Sequence, residues 1–156
     1  MNLYKIIASV GGIGYAGKGG GTVAALFFCV IWLLLPAGYS NTFWQIVITF
    51  FIIAIGVWSS NEVDVLWGKD SSKVVIDEVA GMAVTLLYVP QHIVYMLAGL
   101  AAFRFFDIVK PLGIKKLEKW PKGWGVMADD VLAGLYALAV IQLWLQFKFF
   151  LNENFF

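Results

Sequence analysis

Five long apolar runs, separated by short polar segments, dominate the chain. They cover residues 22–35, 42–59, 74–89, 91–108 and 126–150. A helix needs about 20 mostly apolar residues to cross the hydrocarbon core of a bilayer. The third run is unusual because Asp77 and Glu78 lie near its start and Pro90 ends it. The pattern predicts an all-α, polytopic membrane helix bundle with about five membrane helices, the third of them short or broken.

The connections between these runs fall into two kinds. Residues 36–41 and 88–92 are short and uncharged, whereas residues 60–73 and 109–125 are longer and rich in charge. Short loops favour antiparallel neighbours packed side by side. Before the first run, residues 3–10 predict a short helix lying along the interface. We therefore expect one membrane domain over residues 1–156, with no cleavable signal peptide at its start.

Composition agrees with the membrane class. Hydrophobic residues make up 61% of the chain and charged residues 13%, against about 45–50% and 25% in soluble domains. The net charge of +1 indicates no polyanionic partner such as nucleic acid. The single Cys29 excludes an internal disulfide.

The charges are distributed very unevenly between the two ends of the predicted bundle. With five spans, ten of the eleven basic residues and nine of the ten acidic residues fall at one end; only Lys148 and Glu153 fall at the other. Basic loops usually lie on the cytoplasmic side. This end is therefore predicted to be cytoplasmic. The basic residues Lys115, Lys116, Lys119 and Lys122 are by themselves typical of a topology signal that contacts anionic lipid headgroups, and not of a functional site.

The acidic residues at this end need a further explanation. Carboxylates at membrane-helix depth are costly, and carboxylates that converge repel one another unless cations neutralise them. A divalent metal ion would meet that need. The carboxylates concerned are Asp77, Glu78, Asp107, Asp129 and Asp130.

A glycine-rich stretch leads into the first apolar run. It holds seven glycines between Gly11 and Gly21, with Lys18 among them and Thr22 at its end. Backbone N–H groups in such a loop, followed by a helix N-terminus, can bind phosphate. Thr22 is predicted as the N-cap. A flexible linker is the alternative interpretation.

Two acidic pairs lie beside small residues. Asp77 and Glu78 precede Gly81, and Asp129 and Asp130 precede Ala133 and Gly134. Small residues allow helices to approach closely, and carboxylate oxygens are the ligands that Mg²⁺ prefers. Asp77 and Glu78 could also be first-turn residues that stabilise a helix N-terminus.

A third group combines Arg104, Asp107 and Lys110. Arg104 and Asp107 share a helix face, whereas Lys110 is expected to rotate away from it. The pair is interpreted as a phosphate clamp beside a metal ligand, or as a structural ion pair. His92 is expected at the opposite end and Cys29 in mid-membrane. Metal-activated water is then the simplest nucleophile, and an Asp carboxylate is the alternative.

These motifs, taken in order, resemble the phosphatidylglycerophosphatase A family of bacterial membrane phosphatases. The matching stretches are Gly12 to Thr22, Lys69-Asp70, Val75 to Met82, Phe103 to Pro111 and Gly125 to Gly134. Glu62 resembles an acidic position that the family keeps before the Asp70 loop.

The resemblance implies hydrolysis of phosphatidylglycerophosphate to phosphatidylglycerol and phosphate, with Mg²⁺, at the cytoplasmic face of the bacterial inner membrane. Metal binding would fall to Asp77, Glu78, Asp107, Asp129 and Asp130, all but Asp107 also being catalytic. Phosphate binding would fall to Lys18, Gly21, Thr22, Arg104 and Lys110, with Glu62 and Asp70 in support. The phospholipid is the expected partner, and a homo-oligomer stays open.

Two other functions fit parts of the pattern. An ion-coupled transporter also carries intramembrane carboxylates, but it needs polar groups accessible from both sides. Another metal-dependent lipid phosphotransferase would use the same cluster to transfer phosphate to an alcohol instead of water.

Overall fold

The chain folds into helices joined by tight turns. The computed structural model describes residues 2–36, 42–69, 71–111 and 113–155. Every regular element within them is a helix, which confirms the all-α prediction. A 3₁₀ turn covers Ile13–Ala16. The α-helices are α1 Leu3–Ala8, α2 Gly20–Leu34, α3 Thr42–Trp67, α4 Ile76–Thr85, α5 Ile93–Val109, α6 Ile114–Leu117 and α7 Gly123–Phe155.

Helix α4 lies at the centre of the bundle. It contacts α2, α3, α5 and α7, and all of its residues except Glu78 are buried. A helix with apolar residues on all sides is typical of such a position. The helix has ten residues and is only about 15 Å long. The predicted third membrane helix is therefore a short central helix.

Glycines set the distance between α4 and α7. A side chain at Gly134 would collide with the backbone of Gly81. A side chain at Gly81 would collide with the ring of Phe103 and would lie 2.9 Å from the carbonyl oxygen of Asp130. Close packing at the small residues after each acidic pair is thus confirmed, and it brings the two pairs onto adjacent helices.

Two helices are long and apolar enough to cross a bilayer. They cover Phe43–Trp67 and Gly123–Leu151, while the apolar helix Gly20–Leu34 has only 15 residues. The predicted count of five membrane helices is therefore not confirmed.

Helix boundaries differ from the prediction at two places that bear on the site. Helix α3 continues through Glu62 and Asp64 to Trp67, so the connection to α4 is shorter than expected. Helix α2 begins at Gly20, and its N-cap is Gly19 in a left-handed conformation. Thr22 lies inside the first turn, so its prediction as the N-cap is wrong.

The turn between α4 and α5 closes the end of the bundle remote from the glycine-rich loop. Its backbone is held by glutamine side chains. Gln45 accepts a hydrogen bond from Tyr88 N at 2.9 Å, and Gln91 donates to the carbonyl oxygen of Trp32 at 2.7 Å. His92 caps α5 here by accepting from Val94 N, as expected far from the acidic pairs.

Candidate active site

One cavity gathers the charged residues of four segments. Its volume is about 300 Å³. The glycine-rich loop, the start of α4 with the segment before it, the end of α5 and the first turns of α7 form its walls. Its lining residues are Gly17, Lys18, Gly19, Gly20, Gly21, Ser71, Ser72, Val74, Val75, Asp77, Glu78, Arg104, Asp107, Lys110, Val126, Asp129 and Asp130.

The glycine-rich loop forms one wall because its backbone turns in ways that other residues resist. Gly17 and Gly19 have φ angles of 77° and 99°, in the region that favours glycine. Gly21 then brings α2 against α4: a side chain there would collide with the Glu78 carboxylate. Gly21 is thus needed for close approach, and the first two residues of α2, Gly20 and Gly21, line the cavity.

Arg104 binds two of the carboxylates. Its Nη1 forms an ion pair with Glu78 from α4 and lies 2.9 Å from Asp107 Oδ2, one turn along α5. The predicted pairing on one helix face is therefore present. It extends across to α4, so Arg104 joins the two helices at the cavity.

Lys110 reaches the same cavity, contrary to the expectation that it would rotate away. Helix α5 ends at Val109, and Lys110 adopts a left-handed backbone with φ 48° and ψ 54°. Its Nζ lies 2.6 Å from Asp129 Oδ2 and 2.6 Å from Glu118 Oε1. Burial alone would lower the pKa of Lys110, but the hydrogen bonds to Asp129 and Glu118 outweigh it and raise that pKa, so the ammonium stays charged.

The remaining carboxylate oxygens are poorly satisfied. Asp129 Oδ1 and Asp130 Oδ2 are buried and have no hydrogen-bond partner among the described residues. Asp77 accepts a hydrogen bond from Glu78 N at 3.0 Å but, like Asp130, forms no salt bridge with any described residue. Buried acceptors are nearly always paired in proteins. These oxygens therefore indicate a place for a cationic ligand.

The charge balance of the cavity agrees with a divalent ion. Five carboxylates and three cationic side chains line it, which leaves two negative charges when all are ionised. Among the described residues, however, no three Asp, Glu, His or Cys side chains form a ready-made metal cage. Mg²⁺ commonly uses one or two carboxylates and keeps waters or phosphate oxygens as its other ligands. The residues present fit that mode.

Most of the predicted site residues meet in this cavity. All five predicted metal ligands line it, together with Lys18, Gly21, Arg104 and Lys110. Thr22 and the exposed Glu62 are not among its lining residues. Asp70 lies outside the described residues. Whether these residues bind metal or phosphate stays a prediction.

Sequence reasoning missed several contributors. Ser71 and Ser72 line the cavity from the loop before α4, and Glu118 binds Lys110 from outside it. One signal was available for Glu118, because it is the only acidic residue between Asp107 and Asp129.

Comparison with known proteins agrees with the motifs. The family model for phosphatidylglycerophosphatase A matches residues 6–145. A protein of Bacteroides thetaiotaomicron named "Putative phosphatidylinositol-3-phosphatase" is 41% identical over 139 residues, which cover 83% of this chain and 86% of that protein. A Haemophilus influenzae protein named phosphatidylglycerophosphatase A is 43% identical over 81 residues, 49% of this chain and 50% of that protein. No solved structure matches the chain. The expected resemblance and the predicted enzyme class are thereby confirmed: the chain belongs to the phosphatidylglycerophosphatase A family.

Proposed function

We propose that the chain hydrolyses phosphatidylglycerophosphate to phosphatidylglycerol and inorganic phosphate, with Mg²⁺, at the cytoplasmic face of the bacterial inner membrane. The observation that supports this most is the cavity in which buried carboxylates with free oxygens face Arg104 and Lys110. A phosphate monoester needs cationic donors, and a metal ion needs the carboxylates. Both sets are present in one place.

Phosphate binding is assigned to the cationic wall. Arg104 presents a planar fork of N–H donors that suits phosphate oxygens. Lys110 and Lys18 add charge, and the N-terminus of α2 adds free backbone donors and a favourable dipole. These groups come from different segments, so they can hold the phosphate from several directions.

Metal binding is assigned first to Asp129, Asp130 and Asp77, the carboxylates with free oxygens or without an ion pair. When bound, Mg²⁺ supplies charge that offsets the phosphoryl group and activates water for attack. Glu78 and Asp107 bind Arg104 and so orient it, with metal binding as their second predicted role. Water then forms the new P–O bond while the P–O bond to the glycerol oxygen breaks. A carboxylate of the cavity accepts the proton from the water, and the leaving oxygen takes up a proton to become the alcohol of phosphatidylglycerol.

Membrane embedding is supported by the outer faces of the long helices. Phe43, Phe50 and Phe51 on α3 are each more than 60% exposed. Such a continuous apolar surface suits lipid and not water. Lys115, Lys116, Lys119 and Lys122 are exposed beside the cavity end, which favours a cytoplasmic site by the positive-inside rule.

The relatives carry names with two different substrates, and both are phosphate monoesters on a lipid headgroup. Phosphatidylinositol 3-phosphate is therefore the second candidate substrate, favoured by the name of the Bacteroides relative. An ion-coupled transporter is less well supported, because the described ion pairs among acidic and basic side chains all lie at one end of the bundle.

The test is phosphate release by the purified full-length protein in mixed micelles. Phosphatidylglycerophosphate, phosphatidylinositol 3-phosphate and soluble glycerol phosphate are compared, each with Mg²⁺ or with a chelator. We expect release from phosphatidylglycerophosphate with Mg²⁺, and loss of at least about 100-fold on chelation that returns with added Mg²⁺.

Other results would overturn the proposal in distinguishable ways. Full activity in the presence of chelator would show that the reaction needs no metal ion. Faster release from phosphatidylinositol 3-phosphate than from phosphatidylglycerophosphate would assign the inositol lipid as the substrate. Transfer of phosphate to an alcohol in place of water indicates a phosphotransferase, and ion flux in liposomes without phosphate release indicates a transporter.

A further inference from the structure

Glu118 lies outside the cavity but binds a residue that lines it. Its Oε1 is 2.6 Å from Lys110 Nζ, and the same ammonium lies 2.6 Å from Asp129 Oδ2. Lys110 is therefore held between a buried carboxylate and a half-exposed one. An exposed ion pair is normally worth little, so the pair needs a reason for its fixed geometry.

The backbone around Glu118 is anchored on both sides. Ile114, four residues earlier, is fully buried. Gly125, one turn before Asp129 on α7, packs against the chain itself: a side chain there would lie 3.0 Å from the carbonyl oxygen of Glu118 and 2.8 Å from that of Trp120. The carboxylate of Glu118 thus starts from a fixed position relative to α7.

The backbone of Lys110 is equally constrained. A lysine with φ of 48° occupies a region that non-glycine residues rarely adopt. Such outliers persist where the surrounding structure imposes them. The end of α5 and the Glu118 segment therefore bring the two charges together from fixed points, rather than by chance contact of two long side chains.

The geometry points to a role for this pair. A lysine ammonium has three N–H donors; Asp129 and Glu118 take two, which leaves one for the cavity. Without Glu118, the flexible ammonium can turn toward the free Oδ1 of Asp129. We propose, resting on the phosphatase function above, that Glu118 is a positioning residue that keeps Lys110 directed at the substrate phosphate.

The test separates KM from kcat. In Glu118→Gln, we expect KM for the lipid phosphate to rise about fivefold, the size of one lost charged hydrogen bond, while kcat changes less than about twofold. Glu118→Asp keeps the charge and should recover part of the loss. Asp64→Asn is the matched control, because it removes an acidic charge at the end of α3, away from the cavity.

A double-variant cycle tests whether Glu118 acts through Lys110. Binding of inorganic phosphate is followed by the shift it causes in the unfolding temperature. Glu118→Gln should reduce that shift in the wild-type background and have no further effect in the Lys110→Met background. An effect of equal size in both backgrounds, or a fall in kcat with unchanged KM, would overturn the proposal.

The phosphate-binding measurement also keeps the two proposals separate. If the wild-type protein binds inorganic phosphate but releases none from any lipid, the proposed function fails while the Glu118–Lys110 coupling is still measured. If lipid hydrolysis proceeds and Glu118→Gln matches wild type in both KM and phosphate binding, only the positioning role fails.

Discussion

The two ends of the bundle meet their polar requirements in opposite ways. At the end remote from the glycine-rich loop, neutral amide side chains bind backbone groups: Gln45 accepts from Tyr88 N, and Gln142 donates to the carbonyl oxygens of Leu87 and Tyr88 at 3.3 Å. At the cavity end, charged side chains bind one another, and two buried carboxylate oxygens lack partners among the described residues.

The difference separates architecture from chemistry. A neutral amide bound to a backbone carbonyl closes a turn and carries no charge that an ionic ligand would need. A buried carboxylate without a partner costs free energy in the ligand-free protein. Such a cost is retained where the oxygen binds a ligand. The cavity end is therefore the part of the bundle that is suited to bind a cation.

The largest expected effect is at Asp130, which is 4% exposed and forms no salt bridge with the described residues. Asp130→Asn removes a charge but keeps the shape of the side chain. We expect phosphate release to fall at least about 100-fold, in the range of losing a catalytic acid or base. The unfolding temperature in chelator should stay the same or rise, because a buried unpaired charge has been removed.

The matched comparison measures both quantities in Asp64→Asn, which should change neither. If Asp130→Asn instead lowers stability and activity together, Asp130 is a structural residue. The two ends would then differ only in charge and not in role.

A smaller effect is expected at Arg104. Arg104→Lys keeps the charge but loses the planar fork of N–H donors, of which Nη1 contacts both Glu78 and Asp107. We expect kcat/KM to fall about 10- to 50-fold, since one charged hydrogen bond of two or more is lost. Lys119→Arg is the reciprocal control on the exposed loop. Equal activity of Arg104→Lys and wild type would show that only the positive charge of Arg104 matters, and not the shape of its guanidinium group.

The charged residues show how far the sequence could lead. Acidic pairs beside glycines predicted which helices meet, because carboxylates and close packing both leave local signals. The return of Lys110 to the cavity could not be predicted, since it depends on where α5 ends and on one left-handed residue. Helical spacing alone placed it on another face.

The central position of α4 was also beyond the sequence, although Asp77, Glu78 and Pro90 predicted a short or broken helix. An apolar run of 16 residues is compatible with a span, with a short buried helix, or with a helix and a turn. Burial of α4 on all sides depends on α2, α3, α5 and α7 together, and the glutamines that close its turn come from distant parts of the chain. Thr22 was misplaced for a similar reason, because Gly19 can adopt the left-handed conformation that starts α2 one turn earlier.

The smallest effect on catalysis is expected at the remote end. Gln91 donates to the carbonyl oxygens of Trp32 at 2.7 Å and Leu35 at 3.3 Å, which ties the α4–α5 turn to the end of α2. In Gln91→Leu, we expect unfolding to become easier by about 1 kcal/mol, the net value of such hydrogen bonds, while kcat and KM of the folded enzyme stay within twofold of wild type. Stability is measured by thermal unfolding in detergent, and activity by phosphate release corrected for the amount of folded protein. Gln146→Leu on the exposed face of α7 is the control for added apolar surface. A specific loss of kcat in Gln91→Leu would show that the remote turn is coupled to the cavity along α4, and the division between the two ends would have to be abandoned.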